Sequence, residues 1–249
     1  MLTSIRKKVR QLISNTPLYP RVRQFRIYYA TRKAQYIFLR RHNFHVENIK
    51  AELVKRHKPE TVNKELDNWV RAGKPVPPPE AYKQKVVMGY AQKYNVKTLI
   101  ETGTCIGDMC YAARDAFEKI YSIELSRFLY NIAKQVLAEY RDITLFNGDS
   151  SIILPRILSS ISEPCIFWLD AHYSGGMTSA GAFLTPITSE LNTIALHPEK
   201  RHVILIDDAR DFTGDDCPTV EYIRQFCLEH FPDHEFFVED DIMRIAPLM

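Results

Sequence analysis

The sequence predicts a doubly wound α/β fold with a mainly parallel sheet, preceded by a basic helical arm. Three observations predict it. From Lys97 onward, short runs rich in β-branched and aromatic residues alternate with stretches of helical period. An acidic residue stands at the end of each of the first five runs: Glu101, Glu124, Asp149, Asp170 and Asp207. The charge is also divided along the chain. Residues 1–58 hold 15 Lys/Arg against 2 Asp/Glu, about +13, while the remainder carries about −10.

The elements follow in order. Leu2, Ile5, Val9 and Leu12 recur at helical spacing, with Arg6, Lys7, Lys8 and Arg10 between them. Pro17 and Pro20 interrupt. A second stripe, Val22, Phe25, Tyr29, Tyr36 and Leu39, lies among seven further Lys/Arg. This arm, residues 1–73, is expected to pack on the domain or on a second copy of the chain, or to rest on anionic lipid. Gly73–Pro79 reads as a stiff Pro-rich linker, and a domain over residues 74–249 follows. Its first helix spans Glu80–Tyr94, with Val86, Val87 and Tyr90 on the apolar side. Strands are expected at Thr98–Ile100, Ile120–Ile123, Thr144–Phe146, Cys165–Leu169, Val203–Ile206, Glu235–Val238 and Ile242–Ile245. Helices between them include Leu129–Tyr140 and Val220–His230. The last two strands, separated by Glu239–Asp240, read as a hairpin.

Five cysteines, an odd number without a C-x-x-C pair, argue against a secreted disulfide framework and a structural zinc site. No apolar run reaches the length of a signal-peptide core or a membrane span. A cytoplasmic protein is expected, peripheral at the inner face of the membrane if the arm meets lipid.

In open α/β sheets, ligands bind along the carboxyl edge of the strands. The first four acidic residues are 23, 25 and 21 positions apart, about one βα unit each. The loop Glu101-Thr102-Gly103-Thr104-Cys105-Ile106-Gly107-Asp108 has G-x-x-x-G spacing, which is neither a dinucleotide fingerprint nor a P-loop. A carboxylate at its head disfavours phosphates and suits a cation such as the sulfonium and amino groups of S-adenosylmethionine. Glu124, about 20 residues beyond the glycines, can accept two ribose hydroxyls. Asp149-Ser150 can meet an adenine amino group.

ETGTCIGD, SIEL, NGDSS and FWLDAHYSGG resemble the successive motifs of class I S-adenosylmethionine-dependent methyltransferases. PPPEAYKQ, ETGTCIGDM, FWLDAHYSGG and HVILIDDAR together resemble a bacterial family often encoded near glycosyltransferases. The resemblance covers about residues 76–246. It implies a seven-stranded Rossmann-like sheet with a final antiparallel strand. It implies cofactor contacts at Glu101, Gly103, Gly107, Glu124 and Asp149, in a set that also takes in Thr104, Ser150 and Asp170.

A second constellation joins Asp170-Ala171-His172 to Asp207-Asp208. Three carboxylates at one edge repel unless a cation is present, and all-oxygen ligands suit Mg²⁺ or another divalent ion. The arrangement is similar to metal-dependent catechol and sugar O-methyltransferases, with metal ligands at Asp170, Asp207 and Asp208. Asp170 and His172 are the catalytic candidates, with His172 the expected general base, since an imidazole titrates near neutrality. The loop 173–185, rich in Gly, Ser and Thr, is expected to cover the acceptor.

The expected function is methyl transfer from S-adenosylmethionine to a small-molecule or glycan hydroxyl, probed against three rivals. The first is an RNA methyltransferase gripping phosphates with the arm, although no RNA-binding module is seen and nucleic acid is disfavoured. The second is an iron oxygenase, which lacks a second histidine near Asp170 and His172. The third is a non-catalytic nucleoside-binding or interaction protein. A homo-oligomer is compatible with every reading.

Overall fold

The computed structural model describes residues 45–170, 185–214 and 217–249. The arm's two apolar stripes, His172 and nearly all of the loop after it lie outside the described residues, and with them the expectations about lipid, a second copy and the base. No helix among the described residues is long and apolar enough to cross a membrane.

Helices α1 (Val46–Arg56) and α2 (Pro59–Arg71) come first, followed by α3 (Glu80–Tyr94). Then come β1 (Thr98–Thr102), α4 (Asp108–Ala113), β2 (Lys119–Glu124), α5 (Arg127–Val136) and β3 (Ile143–Asn147). The second half runs α6 (Ser150–Leu158), β4 (Cys165–Leu169), α7 (Ile187–Leu196), β5 (Val203–Ile206), α8 (Val220–His230), β6 (His234–Glu239) and β7 (Ile242–Pro247). The seven strands form one sheet in the order β3-β2-β1-β4-β5-β7-β6. β7 is antiparallel to both of its neighbours, and the other pairings are parallel. The sheet is the one the resemblance implies.

The central strands are continuous apolar runs because helices cover both faces. β4 and β5 are buried at every position, and Ile166, Phe167, Trp168 and Leu169 are among the most enclosed side chains. Each such side chain contributes roughly 1.5–3 kcal/mol by leaving water. Edge strand β3 is only partly covered, with Thr144 and Asn147 exposed and the other three residues half-buried.

Side chains set the helix ends. Ser126 accepts from Leu129 N and starts α5 two residues earlier than periodicity suggests. Thr219 caps α8 in the same way. α3 stops at Asn95, which takes the left-handed conformation at φ 52°. Between β6 and β7 the turn residues are Asp240 and Asp241, both at positive φ, so the strand runs on through Glu239.

Val46–Met249 form a single compact unit, which takes in α1, α2 and the segment after Gly73. Ile49 and Leu53 of α1 and Trp69 of α2 are buried. Trp69 Nε1 donates to Pro75 O at 2.9 Å, and its ring packs on Tyr82. α1 and α2 therefore bury apolar side chains in this unit, while the linker is exposed from Gly73 to Pro77, and charge composition alone does not reveal this.

Candidate active site

The carboxyl ends of β1, β2, β4 and β5 bring the acidic residues to one edge. Glu101 on β1 is buried and pairs in register with Ser122 on β2. That register puts the Ser122 hydroxyl 2.5 Å from Glu101 Oε2. Cys110 Sγ, from α4, approaches the same oxygen at 3.0 Å, and Thr104 Oγ1 lies 2.5 Å from Ser122 Oγ. The Thr104 side chain thus helps to fix Glu101 through Ser122. Burial pushes the Glu101 carboxyl up to about 7. The two donors oppose that rise, and the charges of Asp170 and Glu124 add to it.

The loop after β1 turns back on Ile123, whose carbonyl accepts from Gly103 N at 2.9 Å and Thr104 N at 3.3 Å. Gly107 sits at φ 88° as the cap of α4, and a Cβ there would meet Leu137 Cδ1 at 2.6 Å. Glu124 ends β2 with each oxygen holding a backbone N–H at 2.8 Å: Cys105 N on Oε2 and Ser126 N on Oε1. Burial raises its carboxyl and those two bonds oppose the rise. A carboxylate has about four acceptor sites, so both oxygens keep capacity for ribose hydroxyls.

Asp149 caps α6: its Oδ1 accepts from Ser151 N at 2.9 Å and from Ser151 Oγ at 2.7 Å. Two buried hydroxyls at this edge, Thr102 Oγ1 and Ser150 Oγ, have no hydrogen-bond partner. Unpaired buried hydroxyls are costly unless a ligand or water meets them. An adenosine with a cationic tail fits this chemistry, with acceptors at Glu101, Glu124 and Asp149 and a spare hydroxyl at Ser150.

At β4, Asp170 N donates to Thr102 O at 3.0 Å, and at β5, Asp207 N donates to Leu169 O at 3.1 Å. Asp208 follows at φ 53°. Carboxylate oxygens of Asp170, Asp207 and Asp208 all lie within 4.8 Å of one another. The expected repulsion is met here by protein cations. Lys83 Nζ, from α3, lies 2.6 Å from Asp207 Oδ2 and 3.2 Å from Glu80 Oε1. Burial alone would lower the Lys83 ammonium, but Asp207 and Glu80 outweigh it and hold it above its ordinary range. Arg210 Nη1 lies 2.6 Å from Asp208 Oδ1 and also pairs with Asp241, whose Oδ1 accepts from Arg210 N at 2.8 Å.

The donor type suits Mg²⁺, but the fold also delivers a buried lysine to this cluster. Asp207 Oδ1 accepts from Asp208 N at 2.8 Å, and its Oδ2 meets the Lys83 ammonium. An ammonium has no lone pair to offer a metal.

Asp108, at the start of α4, is a further hub that the sequence reading does not single out. It accepts from Arg56 Nη1 at 2.8 Å, His57 Nε2 at 3.0 Å and Gln84 Nε2 at 3.0 Å. One signal for Lys83 was present in the sequence: it shares a helical face with Val86, Val87 and Tyr90, where a lysine is out of place unless paired.

No family model matches the sequence, and no curated protein does. Solved structures do resemble it. The SAH-bound methyltransferase PaMTH1 of Podospora anserina is 16% identical, with a TM-score of 0.51 over 82% of this chain and 95% of that one. An O-methyltransferase from Bacillus cereus, in complex with SAH, is 16% identical, with a TM-score of 0.50 over 81% of this chain and 100% of that one. The chain therefore has the Rossmann-like fold of the class I S-adenosylmethionine-dependent methyltransferases.

Proposed function

We propose that the chain transfers a methyl group from S-adenosylmethionine to a hydroxyl of a small molecule, with a sugar or glycan precursor as the acceptor class. The observation that carries this reading is the placement of Glu101, Glu124, Asp149 and Asp170 at the ends of successive parallel strands, around a turn whose glycine cannot bear a side chain. The two solved structures support it through their names, one a methyltransferase and one an O-methyltransferase. The sugar acceptor rests on the sequence resemblance and is an analogy.

S-adenosylmethionine, when bound, supplies an electrophilic methyl group on a sulfonium. The chain's own contribution is mainly positioning. Glu124 accepts the ribose hydroxyls, and its bonds to Cys105 N and Ser126 N keep both flanking loops fixed. Asp149 and Ser150 face the adenine. Glu101 and Asp170 offer negative charge to the cationic tail. The acceptor hydroxyl comes in over the ends of β4 and β5, and His172, two residues past Asp170, takes its proton. No step is assigned to a divalent ion, because Lys83 and Arg210 already hold carboxylates of that cluster.

Incubation with methyl-labelled donor and a panel of sugar nucleotides and oligosaccharides tests the acceptor. The expected product carries label in a base-stable methyl ether. Label recovered only in amines or in RNA would contradict the reading.

A further inference from the structure

We propose that Lys83 is the built-in cation of the Asp170–Asp207–Asp208 cluster, and that it stands in the way of the divalent ion which the sequence resemblance implies there. Three independent features of the structure point to this. The side chain is buried, at 6% exposure, on the face of α3 that carries Val86, Val87 and Tyr90 into the core. A lysine is almost never enclosed to that degree without a partner. Its ammonium meets Asp207 Oδ2 at 2.6 Å, an oxygen of a side chain that is itself fully enclosed. And Glu80, one helical turn before it, also meets the ammonium, at 3.2 Å.

The geometry sets the conflict. A magnesium-like ion binds a carboxylate oxygen at about 2.1 Å. With Lys83 Nζ 2.6 Å from Asp207 Oδ2, an ion on that oxygen would lie within about 4.7 Å of a positive charge, in a buried pocket where screening is weak. Arg210 adds a second positive group, held to Asp208 at 2.6 Å and fixed by Asp241. Lys83 is thus a positioning residue. It keeps Asp207 paired and oriented, and it acts on the rest of the cluster through Asp207. Metal binding and Lys83 pairing compete for one carboxylate.

The competition is read without knowing the acceptor and without turnover. Chelator-treated full-length chain is titrated with Mn²⁺, and free ion is followed by its electron paramagnetic resonance signal. Wild type is expected to bind no tighter than the millimolar range. Lys83→Gln, which removes the charge and keeps the bulk, is expected to bind Mn²⁺ at least tenfold tighter. Lys83→Arg, which keeps the charge, stays weak. Asp208→Asn added to Lys83→Gln abolishes the gain, which places the ion in this cluster. Micromolar binding by wild type overturns the proposal, and so does equal affinity in wild type and Lys83→Gln. The wild-type titration decides the matter if Lys83→Gln fails to fold. S-adenosylhomocysteine binding, measured on the same samples, reports separately on the proposed function. Loss of that reading and loss of this inference therefore give different results.

Discussion

Arg56 Nη1 donates to Asp108 Oδ2 at 2.8 Å across 52 positions of sequence, tying the last turn of α1 to the first residue of α4. His57 joins the same carboxylate at 3.0 Å while its Nδ1 donates to Leu53 O at 2.8 Å, so both ring nitrogens have acceptors when the ring is protonated. The segment that looks like the end of a basic arm is in this way fastened to the glycine loop.

The clamp has a pH window. Burial works against both partners, but Asp108 and Leu53 O together raise His57 above its ordinary value of 6.5. His57 and Arg56 in turn lower Asp108 below 3.8. A raised histidine stabilises fully below 6.5, and the gain is lost as pH rises through its folded value. A lowered aspartate stabilises above 3.8, and the gain is lost as pH falls through its folded value. The two windows overlap between about pH 4 and 6.5. Asp108→Asn is expected to cost about 1–3 kcal/mol at pH 5.5, less at pH 8, by urea denaturation. A cost that is the same at both pH values would remove the histidine from the clamp.

The sheet was legible because its signal is local. Val203–Ile206 and Cys165–Leu169 are strands over the expected residues, since a buried parallel strand is a bounded apolar run. Glu80–Tyr94 and Val220–His230 likewise match α3 and α8. The acidic strand ends were legible for the same reason, one to a βα unit. Partners from distant segments were not. Lys83 reaches Asp207 across 124 positions, and no spacing rule connects them. The meeting of Asp170, Asp207 and Asp208 at one edge was legible, but the sequence pattern did not show that the fold delivers Lys83 to them. Charge composition also does not show burial: α1 and α2 are basic in their last turns, yet Leu53 and Trp69 on them are buried.

The proposed contact of Glu101 with the cationic tail predicts a pH dependence of cofactor binding. Its carboxyl stands at about 7, raised chiefly by burial. A cationic ligand needs it ionised, so affinity should rise with pH up to about 7 and level off above. Well below that value it should fall about tenfold per pH unit. Glu101→Gln should bind more weakly and lose this slope. Titrations of S-adenosylmethionine between pH 5.5 and 8.5 check it. A flat profile in wild type would mean that the tail of the ligand lies elsewhere.

The most direct measurement is calorimetric titration of the full-length chain with S-adenosylhomocysteine. The account predicts saturable one-to-one binding to wild type. Glu124→Ala should weaken it by about 10- to 100-fold, the equivalent of roughly 1.5–3 kcal/mol for hydrogen bonds to a charged group. Wild-type protein that gives neither heat of binding nor thermal stabilisation at millimolar ligand would contradict the account at its centre.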